Sequence, residues 1–323
     1  MKNNFSGIYK DYMISYLENR ELSYKNIKHY ACYLKQFDKY TIDNKPNQID
    51  FNKEYIEKYL FLRENESINT LAYRASIIKS FSEYLNLMGI NAYIVNKKNY
   101  HSVKTFIPHI YTNLEINNIF DNINKSIKNT YQYPYKQEMY YLLFEILYSC
   151  GLRLSEALNI RYNDIDFSNM TICIKNSKNH ITRNIIINKQ ITERIKRYMS
   201  LFNDLDNNSY LFNNTKYNTH LAANTVSAEF NNIIKTSKLN KSTRYRIHDF
   251  RHTFAVNILK NAFINGEDIN TFLPILMTYM GHQSIKSTEY YLRFTTDIYP
   301  EFINEYEKYF KDVIPTIGEL EDE

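Results

Sequence analysis

Residues 241–294 gather side chains of complementary chemistry: Lys241, Arg244 and Arg246, then His248-Asp-Phe-Arg251-His252, then Gly281-His282, and nine residues after that histidine, Tyr291. Guanidinium and imidazole groups beside a tyrosine suit a phosphodiester. In-line attack on phosphorus builds negative charge on the non-bridging oxygens, and fixed guanidiniums meet that charge with bidentate hydrogen bonds. A phenol of pKa about 10 must lose its proton at or before attack, and the departing alkoxide must gain one.

The elements that must position these groups follow from periodicity. Residues 248–259 read as a helix with Phe254, Ala255, Ile258 and Leu259 on its buried stripe, so His248 and Arg251, three apart, share a face. A second helix over 269–280 contains Pro274 as a kink or late start and stops at Gly281. Residues 288–294 read as a short helix and 302–310 as an amphipathic segment carrying Phe302, Ile303, Tyr306 and Phe310. Upstream, an apolar helix over 138–148 ends at Cys150-Gly151. Ser155 is then the expected N-cap, with Glu156 in a first turn that favours negative charge. Arg153 falls in the turn between, where backbone on both sides can hold it. Alternation over 170–175 and a β-branched run over 183–187 predict a hairpin bridged by 176–180, with Lys178 near its tip. Helices are expected at 114–127, 190–202 and 224–236, and a short strand at 210–212.

The first 90 residues read as four helices, over 8–17, from a Ser23 cap through Phe37, over 51–62, and from Ile77 to a stop at Gly89. Between 91 and 107 periodicity fades and Lys97, Lys98, His101 and Lys104 accumulate, predicting a linker; Pro108 opens a second domain. The expected organisation is a helical domain over 1–90, a linker over 91–107, a larger domain over 108–300 and a C-terminal segment over 301–323.

Net charge is +5, but the acidic last 23 residues mask a more basic body, which favours a polyanionic partner. Cys32, Cys150 and Cys173 are too few and too scattered for a disulfide framework or a zinc site, and are expected as buried thiols in a reducing cytosol. Neither a leader pattern nor an apolar run of membrane-spanning length is present, so a cytoplasmic protein without membrane contact is expected. Clustered carboxylates of the kind a metal nuclease needs are missing.

In this order the motifs resemble the tyrosine recombinase, or phage-type integrase, family. Gly151-Leu-Arg153-Leu-Ser-Glu156-Ala-Leu is similar to its first arginine motif, and Asn176-Ser-Lys178 through Arg183-Asn-Ile-Ile-Ile to its hairpin lysine motif. His248-Asp-Phe-Arg251-His252-Thr-Phe-Ala resembles its His-x-x-Arg motif, and Gly281-His282 with Tyr291 its closing motif. The resemblance covers residues 108 to about 300, and the helical domain only by size and pattern. It implies a mainly α fold with a small β-sheet, in which the two domains form a C-shaped clamp on double-stranded DNA. It implies a dimer on one site and a tetramer in the synaptic complex, with no metal or other cofactor. Arg153 and Arg251 would stabilise the phosphate charge, Tyr291 would attack, and Lys178 would protonate the leaving 5′ oxygen. His248 would assist proton transfer at the tyrosine, and His282 would hydrogen-bond the phosphate. Lys97, Lys98, Lys241, Arg244 and Arg246 become candidates for backbone phosphate contacts. Tyr290 adjoins Tyr291, Lys175 shares the hairpin with Lys178, and 266–281 is about one helical turn longer than the family pattern. Integration or excision of a mobile element is the expected role. Xer-like dimer resolution, a type IB topoisomerase and a non-catalytic DNA-binding protein are the alternatives.

Overall fold

The computed structural model describes residues 4–21, 27–44, 51–101, 107–131, 134–175, 182–202, 206–214 and 219–281. The chain divides into two compact units, 1–106 and 107–323.

Four helices build the first unit: α1 (Lys10–Glu21), α2 (Ile27–Asn44), α3 (Lys53–Tyr59) and α4 (Ile68–Leu87). Asn52 caps α3 through Tyr55 N–H, and Ser67 caps α4 through Thr70 N–H, each satisfying a donor that the helix start leaves open. The expected Ser23 cap lies outside the described residues. Tyr9, Met13, Leu34, Phe37, Phe51, Ile56, Ile78, Phe81 and Leu85 fill the core, with Phe37 stacked edge-on against Phe51 and Tyr59. Residues 91–100, within the expected linker, pack on this core. Ala92 and Val95 are buried in it, Tyr93 N–H donates to Phe51 O, and Asn86 holds Ala92 from both sides. Lys97 and Lys98 then stand exposed on a 3₁₀ turn (Lys97–Asn99).

The second unit holds α5 (Asn113–Ser126), α6 (Lys136–Cys150), α7 (Leu154–Leu158), α8 (Lys189–Met199), α9 (Ala223–Thr236), α10 (Ile247–Ile264) and α11 (Ile269–Met280). Its antiparallel sheet runs β1 (Ile165–Asp166), β2 (Thr171–Ile174), β3 (Arg183–Ile186), with Ile174 opposite Arg183. The fold is therefore mainly α with a small sheet, as expected.

α6 is the hub. Leu142, Leu143, Phe144, Ile146 and Leu147 are all buried, so it presents apolar surface on nearly every side, and α5, α8 and α10 pack around it. Each such side chain contributes roughly 1.5–3 kcal/mol of transfer free energy. The helix ends where Gly151 turns left-handed at φ 61°. A Cβ there would lie 2.3 Å from Phe254 Cδ1, so glycine answers both the dihedral and the approach of α10. α11 runs through Pro274 and ends at Gly281, φ 65°.

Three expectations need correcting. The strand expected at 210–212 is a single bridge from Tyr210 to Arg161, and the paired strands are β4 (Asn213–Asn214) and β5 (Thr219–His220). Arg153, not Ser155, is the N-cap of α7, because Glu156 folds back to accept Arg153 N–H at 3.0 Å. Cys32 is exposed, whereas Cys150 is buried and Cys173 half-buried. Among the described residues no helix is long and apolar enough to cross a membrane.

Candidate active site

Two helix C-termini, those of α6 and α11, are joined by the same guanidinium. Arg251, on the first turns of α10 and only 1% exposed, donates from Nη1 to Gly151 O at 2.7 Å and from Nη2 to Met280 O at 2.5 Å. Terminal helix carbonyls lack intrahelical donors and carry partial negative charge, which a cation complements. The same holds for the neighbouring carbonyls. Arg183 Nε donates to Tyr279 O at 2.7 Å, and Arg153 Nη2 to Gly281 O at 3.2 Å. Three consecutive carbonyls closing α11 are thus each taken by a different arginine.

Glu156 gathers those arginines. Its Oε1 accepts from Arg153 Nη1 at 2.7 Å and Arg183 Nη1 at 3.2 Å, its Oε2 accepts from Arg183 Nη2 at 2.9 Å, and Arg251 Nη1 lies 3.9 Å away. Burial pushes this carboxyl up, but the Arg183 hydrogen bonds, the Arg153 N–H and both positive charges outweigh it, and its pKa falls below the ordinary 4.5. Among the described residues, three guanidiniums thus face one carboxylate. Arg153 keeps 21% of its side chain open to solvent, so the cluster has a face from which an anion can be met.

His248 adjoins the cluster. Desolvation by nearby protein atoms, then the charges of Arg251, Arg246 and Arg153, lower its pKa to about 4; the residue as a whole is exposed, so the three cations are the firmer cause of that direction. His252 meets its ring edge-on at 4.8 Å. The start of α10 is fastened from below: Arg246 Nη2 pairs with buried Asp249 at 3.2 Å, Tyr111 OH donates to Arg246 O, and Thr253 accepts Tyr111 N–H. Arg246 is half-buried and pairs with Asp249, whereas Lys241 and Arg244 are exposed.

Arg153, far from His248 and Arg251 in sequence, is therefore brought to them. Lys178, His282 and Tyr291 lie outside the described residues, as do the hairpin tip and the segments at 288–294 and 302–310. Lys175 is tied by a 2.6 Å ion pair to Asp164, whose hydrogen bond raises the lysine pKa. Among the described residues no cluster of His, Cys, Asp and Glu suits a metal ion.

Sequence reasoning took Glu156 only as a first-turn acid and Arg183 only as a strand residue. The available signal was a charge at an inward position: Arg183 and Ile185 are buried on β3 while Asn184 and Ile186 face out, and Glu156 precedes buried Ala157 and Leu158. A buried charge at such a position requires a partner.

The phage integrase family model matches residues 109–297. A tyrosine recombinase of Pseudothermotoga lettingae is 25% identical over 88% of this chain and 91% of its own length. The tyrosine recombinase XerC of Pediococcus pentosaceus is 25% identical over 94% of this chain and 97% of its own. Among solved structures, the Tn1549 transposon integrase in complex with a circular intermediate DNA aligns with a TM-score of 0.62 at 17% identity, over 88% of this chain and 95% of that one, a likeness of fold.

Proposed function

The chain belongs to the phage integrase family and is of the tyrosine recombinase type, and from that premise we propose that it cleaves and rejoins double-stranded DNA through a covalent 3′-phosphotyrosine. The observation that carries this reading is the convergence of Arg153, Arg251 and His248 around Glu156, where three guanidiniums, with that of Arg183, share one carboxylate. A phosphodiester carries one negative charge, and its pentacoordinate transition state gains a second. Preorganised guanidiniums therefore favour the transition state over the ground state.

In the proposed step the Tyr291 oxygen bonds to phosphorus as the bond to the 5′ oxygen breaks. The phenol proton leaves towards His248, which is neutral near pH 7 and able to accept it, and Lys178 supplies a proton to the departing oxygen. Lys175 is the weaker candidate for that acid, because Asp164 both holds its ammonium and resists its deprotonation. His282 hydrogen-bonds the phosphate. The energy of the broken ester is kept in the phosphotyrosine, so religation needs neither metal nor ATP.

Exposed Lys97, Lys98, Lys241 and Arg244 are proposed to meet the DNA backbone, where they set affinity and salt dependence. On duplex DNA the proposed assembly is a dimer per site and a tetramer in synapsis. The proposed role is integration or excision of a mobile element, supported by the resemblance of residues 280–295 to integrases of such elements. Near full-length likeness to XerC supports a second role, dimer resolution.

The test uses a plasmid carrying two copies of the protein's site, recovered by selection for tight binding from a random-sequence duplex library, incubated in EDTA. Joining of the two sites supports the proposal. Relaxation of supercoils with no exchange of partners would assign the chemistry to a topoisomerase.

A further inference from the structure

Arg183 opens β3, the strand that returns from the lysine hairpin, five residues after Lys178. Its side chain is 6% exposed, and its hydrogen bonds go to protein groups. Nη1 and Nη2 form a fork on Glu156, and Nε holds Tyr279 O at the end of α11. The next turn lies flush against it: a Cβ on Gly281 would come within 2.9 Å of Arg183 Nη1. One guanidinium thus ties the hairpin strand to the carboxylate that holds Arg153 and to the turn that precedes His282.

We propose that Arg183 is a positioning residue that fixes the hairpin, and with it the general acid, relative to the phosphate-binding arginines; this rests on the assignment of Lys178 as that acid. The asymmetry of the contacts gives the role its signature. Arg153 bonds Gly281 O and Glu156, and Arg251 bonds Gly151 O and Met280 O, through contacts that do not pass through Arg183. Loss of Arg183 removes the polar tie of β3 to Glu156 and to the end of α11, while its register with β2 and the burial of Ile185 keep the strand in the fold. Charge stabilisation at phosphorus then persists while proton delivery suffers, because a general acid works only within hydrogen-bond reach of its acceptor.

A leaving group that needs no proton separates these effects. Full-length protein is given the selected duplex with either the natural 5′ oxygen or a bridging sulfur at the scissile phosphate. A thiolate, with a conjugate-acid pKa of about 8.5, leaves unprotonated. Single-turnover cleavage is measured for the parent, Lys178→Ala, Arg183→Gln and Arg183→Lys. We expect Arg183→Gln to slow cleavage of the oxygen ester about a hundredfold, the scale of a small misplacement of a catalytic group. Arg183→Lys, which keeps charge but not the fork, falls between, and the sulfur ester restores both to near the parent rate. Equal loss on both esters, with Lys178→Ala still rescued by sulfur, would overturn the positioning role, and so would parental rates on the oxygen ester. Failure of sulfur to rescue Lys178→Ala would instead remove the general-acid assignment, and the role of Arg183 with it. If Arg183→Gln does not fold, Arg183→Lys decides by the same comparison.

Discussion

Glu156→Gln keeps the side-chain volume and removes the one negative charge shared by Arg153, Arg183 and Arg251. Each carboxylate oxygen now accepts two hydrogen bonds: Oε1 from Arg153 Nη1 and Arg183 Nη1, and Oε2 from Arg153 N–H and Arg183 Nη2. An amide nitrogen at either position faces two donors and can accept from neither. With the side chain 2% exposed, water does little to screen the three guanidiniums left behind. Removing one partner from a buried charge network costs about 3–5 kcal/mol. For a unit the size of residues 107–323 that lowers Tm by about 6–20 °C, taking about 2–4 °C per kcal/mol. Differential scanning calorimetry of the full chain would resolve this in the transition of the second unit. The pH dependence is a second signature. Since the folded carboxyl sits below its ordinary 4.5, its contribution is complete above 4.5 and is lost as pH falls through the lower folded value. The gap in stability between parent and variant should therefore be constant above pH 4.5 and close below it. A Tm within about 2 °C of the parent, less than 1 kcal/mol on this scale, would refute the view that Glu156 organises the cluster.

Gly151→Ala places a methyl against Phe254 in a left-handed backbone, and should cost about 2–4 kcal/mol in a denaturant titration; a loss under about 0.5 kcal/mol would show that α10 yields easily. His248, with its pKa lowered to about 4, should show a flat ring resonance by NMR from pH 8 through its ordinary 6.5 and titrate only near 4. Because the folded pKa is depressed, the neutral ring's contribution to stability is full above 6.5 and is lost as pH falls towards 4. Binding the selected duplex, which brings negative phosphate near the ring, should move that midpoint upward; a midpoint near 6.5 without DNA would contradict the electrostatic account.

Local rules made most of the scaffold legible. The glycine stops at Gly151 and Gly281 and the Arg153 turn between α6 and α7 follow from backbone chemistry that operates over a few residues. What escaped was set over longer distances. The pairing of Glu156 with Arg183 joins residues 27 apart, and the grip of Arg251 on Gly151 O joins residues 100 apart, so neither leaves a periodic trace. Ser155 looked like a cap because its type favours that place; Arg153 took it because Glu156, three residues on, reaches back to Arg153 N–H. Polar, basic residues at 97–104 concealed that Ala92 and Val95 complete the first core. The six proposed catalytic residues rest on family resemblance, whereas Arg183 emerged only from the geometry around Glu156 and Gly281.

The most direct test of the central claim is covalent capture. Parent protein and Tyr291→Phe are incubated with end-labelled selected duplex, denatured and separated on a gel, and the linked residue is identified by mass spectrometry of the digested adduct. The account predicts a DNA–protein adduct through Tyr291 in the parent and none in Tyr291→Phe. An adduct that survives the substitution, or one mapped to Tyr290, would contradict it.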